Sequence, residues 1–178
     1  MQLTKTSVLI NTFILDKNVL LMYNCIILIN KGRYILVSNK HEPQKHVDFT
    51  EKEIKEYIQA LKLYIKSSKY SISINRKKNM DFIEDYKIDT QKEKEILLSL
   101  TYKDFCYAVD NKKEKYFHET LYVFCKRRKL GYWGSLRTVD IYLKTNIVET
   151  SKGEQLYIVS FHEKEKKLQY LFRDKGYF

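Results

Sequence analysis

His162, Tyr142 and Lys144 are the side chains of this chain best suited to proton transfer and phosphate binding, and the pattern around them aligns all three. Residues 138–147, TVDIYLKTNI, and residues 155–164, QLYIVSFHEK, are alternating runs joined by ETSKGE, in which Gly153 supplies the backbone freedom of a turn. An antiparallel hairpin follows. In its first strand Ile141, Leu143 and Ile147 share one face, and Tyr142, Lys144 and Asn146 the other. In its second, Tyr157, Val159 and Phe161 are expected on the apolar face, and Ser160, His162 and Lys164 on the polar one. An imidazole near neutral pKa takes a proton from a sugar hydroxyl or returns one to a leaving oxygen. A phenol and an ammonium beside it bind a phosphate and stabilise its added charge. The plainer account of the same residues is a solvated strand-end histidine next to a tyrosine favoured by strands.

A second cluster precedes this hairpin. Lys126-Arg127-Arg128-Lys129 is followed by Tyr132 and Trp133, joining positive charge to stacking surfaces in the way single-stranded RNA requires. A solvated basic loop with Trp133 in the core is the alternative. The net charge of +11 and pI of about 9.4 point to a polyanionic partner. Of the 33 basic residues, however, 27 are Lys and 6 Arg, a bias that an AT-rich genome also produces.

Other chemistries are excluded by what the spacing lacks. His118-Glu119 opens like a zinc-protease H-E-x-x-H, but Tyr122 stands where the second histidine belongs. Asp140 with Glu165 and Lys167 resembles a magnesium-nuclease triad only as far as chance pairs do in so charged a chain. No phosphate-cradling glycine loop, G-x-S-x-G or dinucleotide fingerprint is present. Neither a metal nor a cofactor is therefore expected. Cys25, Cys106 and Cys125 form no C-x-x-C pair and read as free thiols of a reducing cytoplasm. No run approaches the ~18–20 apolar residues of a membrane span, so a cytoplasmic protein without a membrane partner is expected.

The elements that must position these groups are legible in order. Three β-like runs, SVLINTFIL, VLLMYNCIILI and RYILVSN, fill an N-terminal β-rich extension, which with a proline-containing linker occupies residues 1–48. A single domain over residues 49–178 follows. Thr50-Glu51-Lys52-Glu53 is a capping box opening a helix with Ile54, Ile58, Leu61 and Ile65 on one face, ending near Ser67-Ser68. KYSISI reads as a short strand, Arg76–Asn79 as a basic turn, and Thr90-Gln91-Lys92-Glu93 as the start of a second helix. Thr101–Asp104 could cap a further turn carrying Phe105, Cys106 and Tyr107. HETLYVFCKRR is a strand, and the tail KKLQYLFRDKGYF fits a last strand or a helix end. Helix, strand, helix and then consecutive strands predict an α+β fold, with helices packed on one face of an antiparallel sheet.

The ordered segments LLSLTYKDF, ETLYVF, VDIYLKTNI and LYIVSFHEKE, at residues 97–105, 119–124, 139–147 and 156–165, resemble the MqsR-type toxins of bacterial toxin–antitoxin systems. The resemblance covers roughly residues 50–164 and is closest at IYLK and IVSF. It implies a RelE-like fold and a metal-independent endoribonuclease that cleaves messenger RNA, possible in association with the ribosome, and is restrained by a cognate antitoxin. Attack of the ribose 2′-OH on the adjacent phosphate would leave a cyclic phosphate and a free 5′-OH. Tyr142 matches an active-site Tyr of the family, His162 and Tyr107 stand at places held by Lys, and Glu119 at one held by Gln. The connection between residues 125 and 138 is longer than the family's. On this reading Glu119 or His162 exchanges protons with the 2′-OH and the 5′-oxygen, Tyr142 orients the phosphate, and Lys144, Arg137, Arg127 and Arg128 hold it. Trp133 and Tyr107 complete the RNA-binding surface. A non-catalytic nucleic-acid-binding module, or a protein-interaction factor, on the same fold stays open beside it.

Overall fold

The computed structural model describes Cys25–Asn30, Arg33–Ser38, residues 43–151 and residues 153–173. The chain divides into two units, residues 1–42 and residues 43–178. In the first, β1 (Cys25–Asn30) and β2 (Arg33–Ser38) pair antiparallel from Cys25↔Ser38 to Asn30↔Arg33. The expected strand SVLINTFIL lies outside the described residues.

The second unit is α+β, with three helices and a six-stranded, mostly antiparallel sheet. Its elements are β3 (Lys45–His46), α1 (Glu51–Lys66), β4 (Tyr70–Ile72), α2 (Lys77–Asp85) and α3 (Thr90–Leu98), followed by β5 (Phe105–Asp110), β6 (Thr120–Tyr132), β7 (Ser135–Thr150) and β8 (Gly153–Glu163). The strand order is β3-β5-β6-β7-β8-β4. All neighbours are antiparallel except β4, which runs parallel to β8. That departure from an all-antiparallel sheet follows from α1, which carries the chain from one sheet edge to the other. Its 16 residues rise about 24 Å, comparable with five inter-strand spacings of about 4.8 Å.

Local chemistry explains most boundaries. Thr50 Oγ1 accepts from the Glu53 N–H at 3.3 Å while the Glu53 carboxylate accepts from the Thr50 N–H at 2.7 Å, the reciprocal box expected at the start of α1. Ile54, Ile58, Leu61 and Ile65 are buried, and Ser67 ends the helix. For α3 the cap lies one residue earlier than the sequence pattern placed it. The Asp89 carboxylate, not Thr90, accepts from the Lys92 N–H at 2.8 Å. Thr101 does cap a short 3-10 turn, Tyr102–Asp104, but Phe105, Cys106 and Tyr107 continue as β5 rather than as a helical turn. Residues 45–46, within the expected linker, form β3 because they pair with Val109 and Ala108. Asp110 fixes that edge, accepting from Gln44 N at 3.0 Å and lying 2.7 Å from His46 Nε2.

The expected basic turn Arg76–Asn79 is instead the entry to α2, and Asn79 is the reason. Its buried amide Nδ2 donates to Ser73 O at 2.9 Å and Val159 O at 3.3 Å, while its Oδ1 accepts from Phe161 N at 2.9 Å. These bonds close a β-bulge. The β7–β8 register steps from Lys144↔Ser160 to Thr145↔Ile158, leaving Val159 without a partner. The bulge corrects the expected apolar face of β8. Leu156, Ile158 and Phe161 enter the main core, not Tyr157, Val159 and Phe161.

That core lies between one sheet face and the helices. It joins the buried residues of α1 to Phe82, Ile96, Leu97, Phe105, Phe124, Ile141 and Leu143. The opposite face carries only a small cluster, Cys106, Val123 and Cys125, on which Leu168 and Tyr170 pack. The tail is irregular there, held by Leu171 N donating to Phe105 O at 3.0 Å. Within this unit and among the described residues, no helix packs on that small cluster.

Candidate active site on the open sheet face

Alternation along β7 sends Tyr142, Lys144 and Asn146 to the face opposite the helices, as expected. The Val159 bulge does the same for Ser160 and His162. With Leu156 and Ile158 in the core, strict alternation would turn residues 160 and 162 inward; one extra residue turns them out. In register, Tyr142 then faces His162 and Lys144 faces Ser160. The Tyr142 and His162 rings lie 5.2 Å apart at a tilt of 36°. Tyr107 on β5 completes the row, close enough to Tyr142 to influence its phenol, with its own ring lying under Lys45 Nζ at 4.1 Å.

Electrostatics distinguish the members of this row. Burial pushes the Tyr142 phenol far above its ordinary range, and the neighbouring Tyr107 adds to the effect, so Tyr142 is a neutral phenol suited to donate a hydrogen bond and not to act as a base. Lys144 is half-buried, and its pKa is lowered by that burial, then by the like charges of Arg76 and Lys112. Arg76 reaches over the β8 edge to donate to Ser160 Oγ at 3.5 Å. The arrangement is a patch of positive charge flanked by two phenols and an imidazole. An oxyanion is the ligand such charge would attract.

Arg76 was not among the residues expected here. The sequence placed it in a solvated basic turn, and only the folding of α2 around Asn79 brings its guanidinium to Ser160. Glu119 is on the same face but at the other end. Its carboxylate accepts from Asn111 Nδ2 at 2.9 Å and Asn146 Nδ2 at 3.1 Å. Asn146 and Tyr142 are four residues apart on β7, or about 13 Å along the strand. Glu119 therefore does not orient His162, whose Nδ1 lies 2.9 Å from Glu163 O.

The four-residue basic cluster is not a loop and not contiguous. It lies within β6, so its members alternate between faces. Lys126 pairs with Asp104 at 2.8 Å, Arg127 with Asp140 at 2.8 Å, and Arg128 donates to Glu95 O at 3.4 Å. Arg137 and Trp133 stand apart from the row, near the β6–β7 turn, where the Arg137 guanidinium covers the Tyr132 ring at 4.5 Å.

Asp140 shows how fully one of those cations is neutralised. The bond from Arg127, and with it Lys164 at 2.6 Å, lowers its carboxyl from 3.8 to about 2. A depressed folded pKa contributes stability that is complete above about pH 4 and lost as the pH falls through about 2. Because Arg127 is largely exposed, Asp140→Asn is expected to cost about 1–2 kcal/mol at pH 7. Near pH 2 the variant and the wild type should converge in urea unfolding; an equal gap at both pH values would exclude the pairing.

Among the described residues no three His, Cys, Asp or Glu side chains gather in a way that could hold a metal ion, and no helix is long and apolar enough to cross a membrane. Fold and site together define an α+β protein with a cationic, tyrosine-lined sheet face. Compared with models of known families, with curated proteins and with solved structures, the chain finds no match.

Proposed function

We propose that this chain is a metal-independent endoribonuclease of RelE-like fold, the messenger-RNA-cleaving toxin of a toxin–antitoxin pair, as its resemblance to the MqsR-type toxins implies. One observation supports the reading above others. Lys144 is half-buried beside Arg76 and Lys112, with no carboxylate paired to it among the described residues, so an incoming anion would balance its charge. A scissile phosphate seated there meets Lys144 and Arg76, with the Tyr142 hydroxyl donating to a non-bridging oxygen. The 2′-oxygen attacks phosphorus, the bond to the 5′-oxygen breaks, and the products are a cyclic phosphate and a free 5′-OH. His162, at the rim beside Tyr142, gives the leaving 5′-oxygen its proton, and a solvent water takes the proton of the 2′-OH.

The distance between Glu119 and His162 favours one alternative, a face that binds RNA without cutting it. Purified protein incubated with RNA, with and without EDTA, separates the two. The ribonuclease gives EDTA-resistant cleavage with cyclic-phosphate ends. Salt-sensitive binding with intact RNA would leave only the binding module.

A further inference from the structure

The ends of β6 and β7 leave the sheet. β5 pairs with β6 only as far as Phe124, and β8 pairs with β7 only from Ile141. From Arg128↔Val139 to Tyr132↔Ser135 the two strands pair, among the described residues, with no other strand, a ribbon about 14 Å long. Its inner face is anchored, with Leu130 and Val139 in the core and Tyr132 against Tyr86 at 5.1 Å. Lys129, Leu136 and Thr138 alternate onto the other side, the side that also carries Tyr142, and all three are exposed. Trp133 forms the tip.

Trp133 is a poor choice for the turn it makes. Trp133 has φ +46° and Gly134 φ +84°, the left-handed pair of a two-residue hairpin turn, which Asn, Asp or Gly adopts at far lower cost than a bulky side chain. The indole gives the fold little in return, being 77% exposed, with its ring edge-on to Tyr132 at 6.5 Å between centroids. A strained and solvent-facing aromatic points to use outside the fold. The charge around it states the kind of partner. Beyond the Arg127–Asp140 pair at its base, residues 128–139 contain three cations and no carboxylate, which suits a polyanion. Stacking aromatics beside lysine and arginine are the means by which single-stranded nucleic acid is held without regard to sequence.

We propose that the β6–β7 arm is a second RNA site, remote from the cleavage row, in which Trp133 stacks on an unpaired base while Lys129, on the face that also carries Tyr142, contacts a flanking phosphate. The proposal rests on the reading of the chain as an RNA-acting protein, and it assigns a footprint longer than the scissile phosphate alone.

Trp133 is the one tryptophan of the chain, so its fluorescence reports this site and no other. The full chain is titrated with a 2′-O-methyl oligouridylate of about 15 nucleotides, which lacks the nucleophile and is not cut. Saturable quenching of Trp133 that weakens with salt is expected. In anisotropy with a labelled copy of the same oligonucleotide, Trp133→Ala should bind about 5- to 100-fold more weakly, and Trp133→Phe should keep most of the affinity. Trp133→Asn provides the contrast with a structural role: it should raise Tm and lose affinity as alanine does. Binding without quenching, or wild-type affinity in Trp133→Ala, overturns the proposal, as does equal quenching by polyglutamate, which would assign the arm to a protein partner. Cleavage by the wild type without quenching removes the arm and spares the ribonuclease. Quenching without cleavage supports the arm while the ribonuclease reading fails.

Discussion

Lys144→Met is expected to melt at a higher temperature than the wild type while cleaving RNA about 10²–10³-fold more slowly. The two effects have one cause. Lys144 holds its charge against burial and against Arg76 and Lys112, so its folded pKa lies below its unfolded one. A lysine shifted in that direction costs stability whenever it is protonated, and the cost is relieved only as pH rises toward its unfolded value. Methionine keeps the stem and removes the charge. If a bound phosphate is what the charge serves, stability and turnover must move in opposite directions. Thermal melts and cleavage assays of the same preparation check this, and a variant that is both less stable and fully active would show Lys144 to be an ordinary structural residue.

Asp104→Ala is the substitution expected to cost most stability, about 3–5 kcal/mol. Its side chain is only 3% exposed, yet it accepts from Thr101 N and Oγ1 at 2.9 Å each, from Lys126 Nζ at 2.8 Å and from Arg173 Nη2 at 2.7 Å. Truncation leaves Lys126 largely buried without a counter-charge and frees the tail from its anchor. For a domain of this size the loss corresponds to a fall in Tm of about 10 °C. Adding Lys126→Met to Asp104→Ala should recover part of it, because removing both partners of a buried pair is far milder than removing one. Equal Tm values for the single and double variants would show that the turn cap, not the ion pair, carries the effect.

Features decided by neighbours in sequence were legible, and those decided by distant contacts were not. The Thr50 box and the apolar face of α1 depend on residues three and four apart. The hairpin that holds Tyr142 and His162 follows from alternation and Gly153, whose φ is +86°. The core face of β8 did not follow, because QLYIVSF is apolar in both frames and only the Asn79 bonds choose between them. Arg76 was hidden for the same reason: its place depends on a helix whose entry is fixed by that asparagine. The basic run at 126–129 was misread by proximity. Four adjacent cations in a strand are two pairs facing apart, and Asp104 and Asp140, distant in sequence, neutralise one from each.

The bulge at Val159 makes parity a property on which the site depends. Between Leu156, which faces inward, and His162, which faces outward, there are five residues, a number that regular alternation would assign to one face. Substitutions in this segment alter packing by degrees. A deletion of Val159 removes the bulge: the strand regains its regular repeat with Leu156, Ile158 and Phe161 still inward and Ser160 and His162 still outward, and the Asn79 amide loses the gap it now closes. The sides of β8 are therefore set jointly by the length of the strand and by Asn79, a residue on another element.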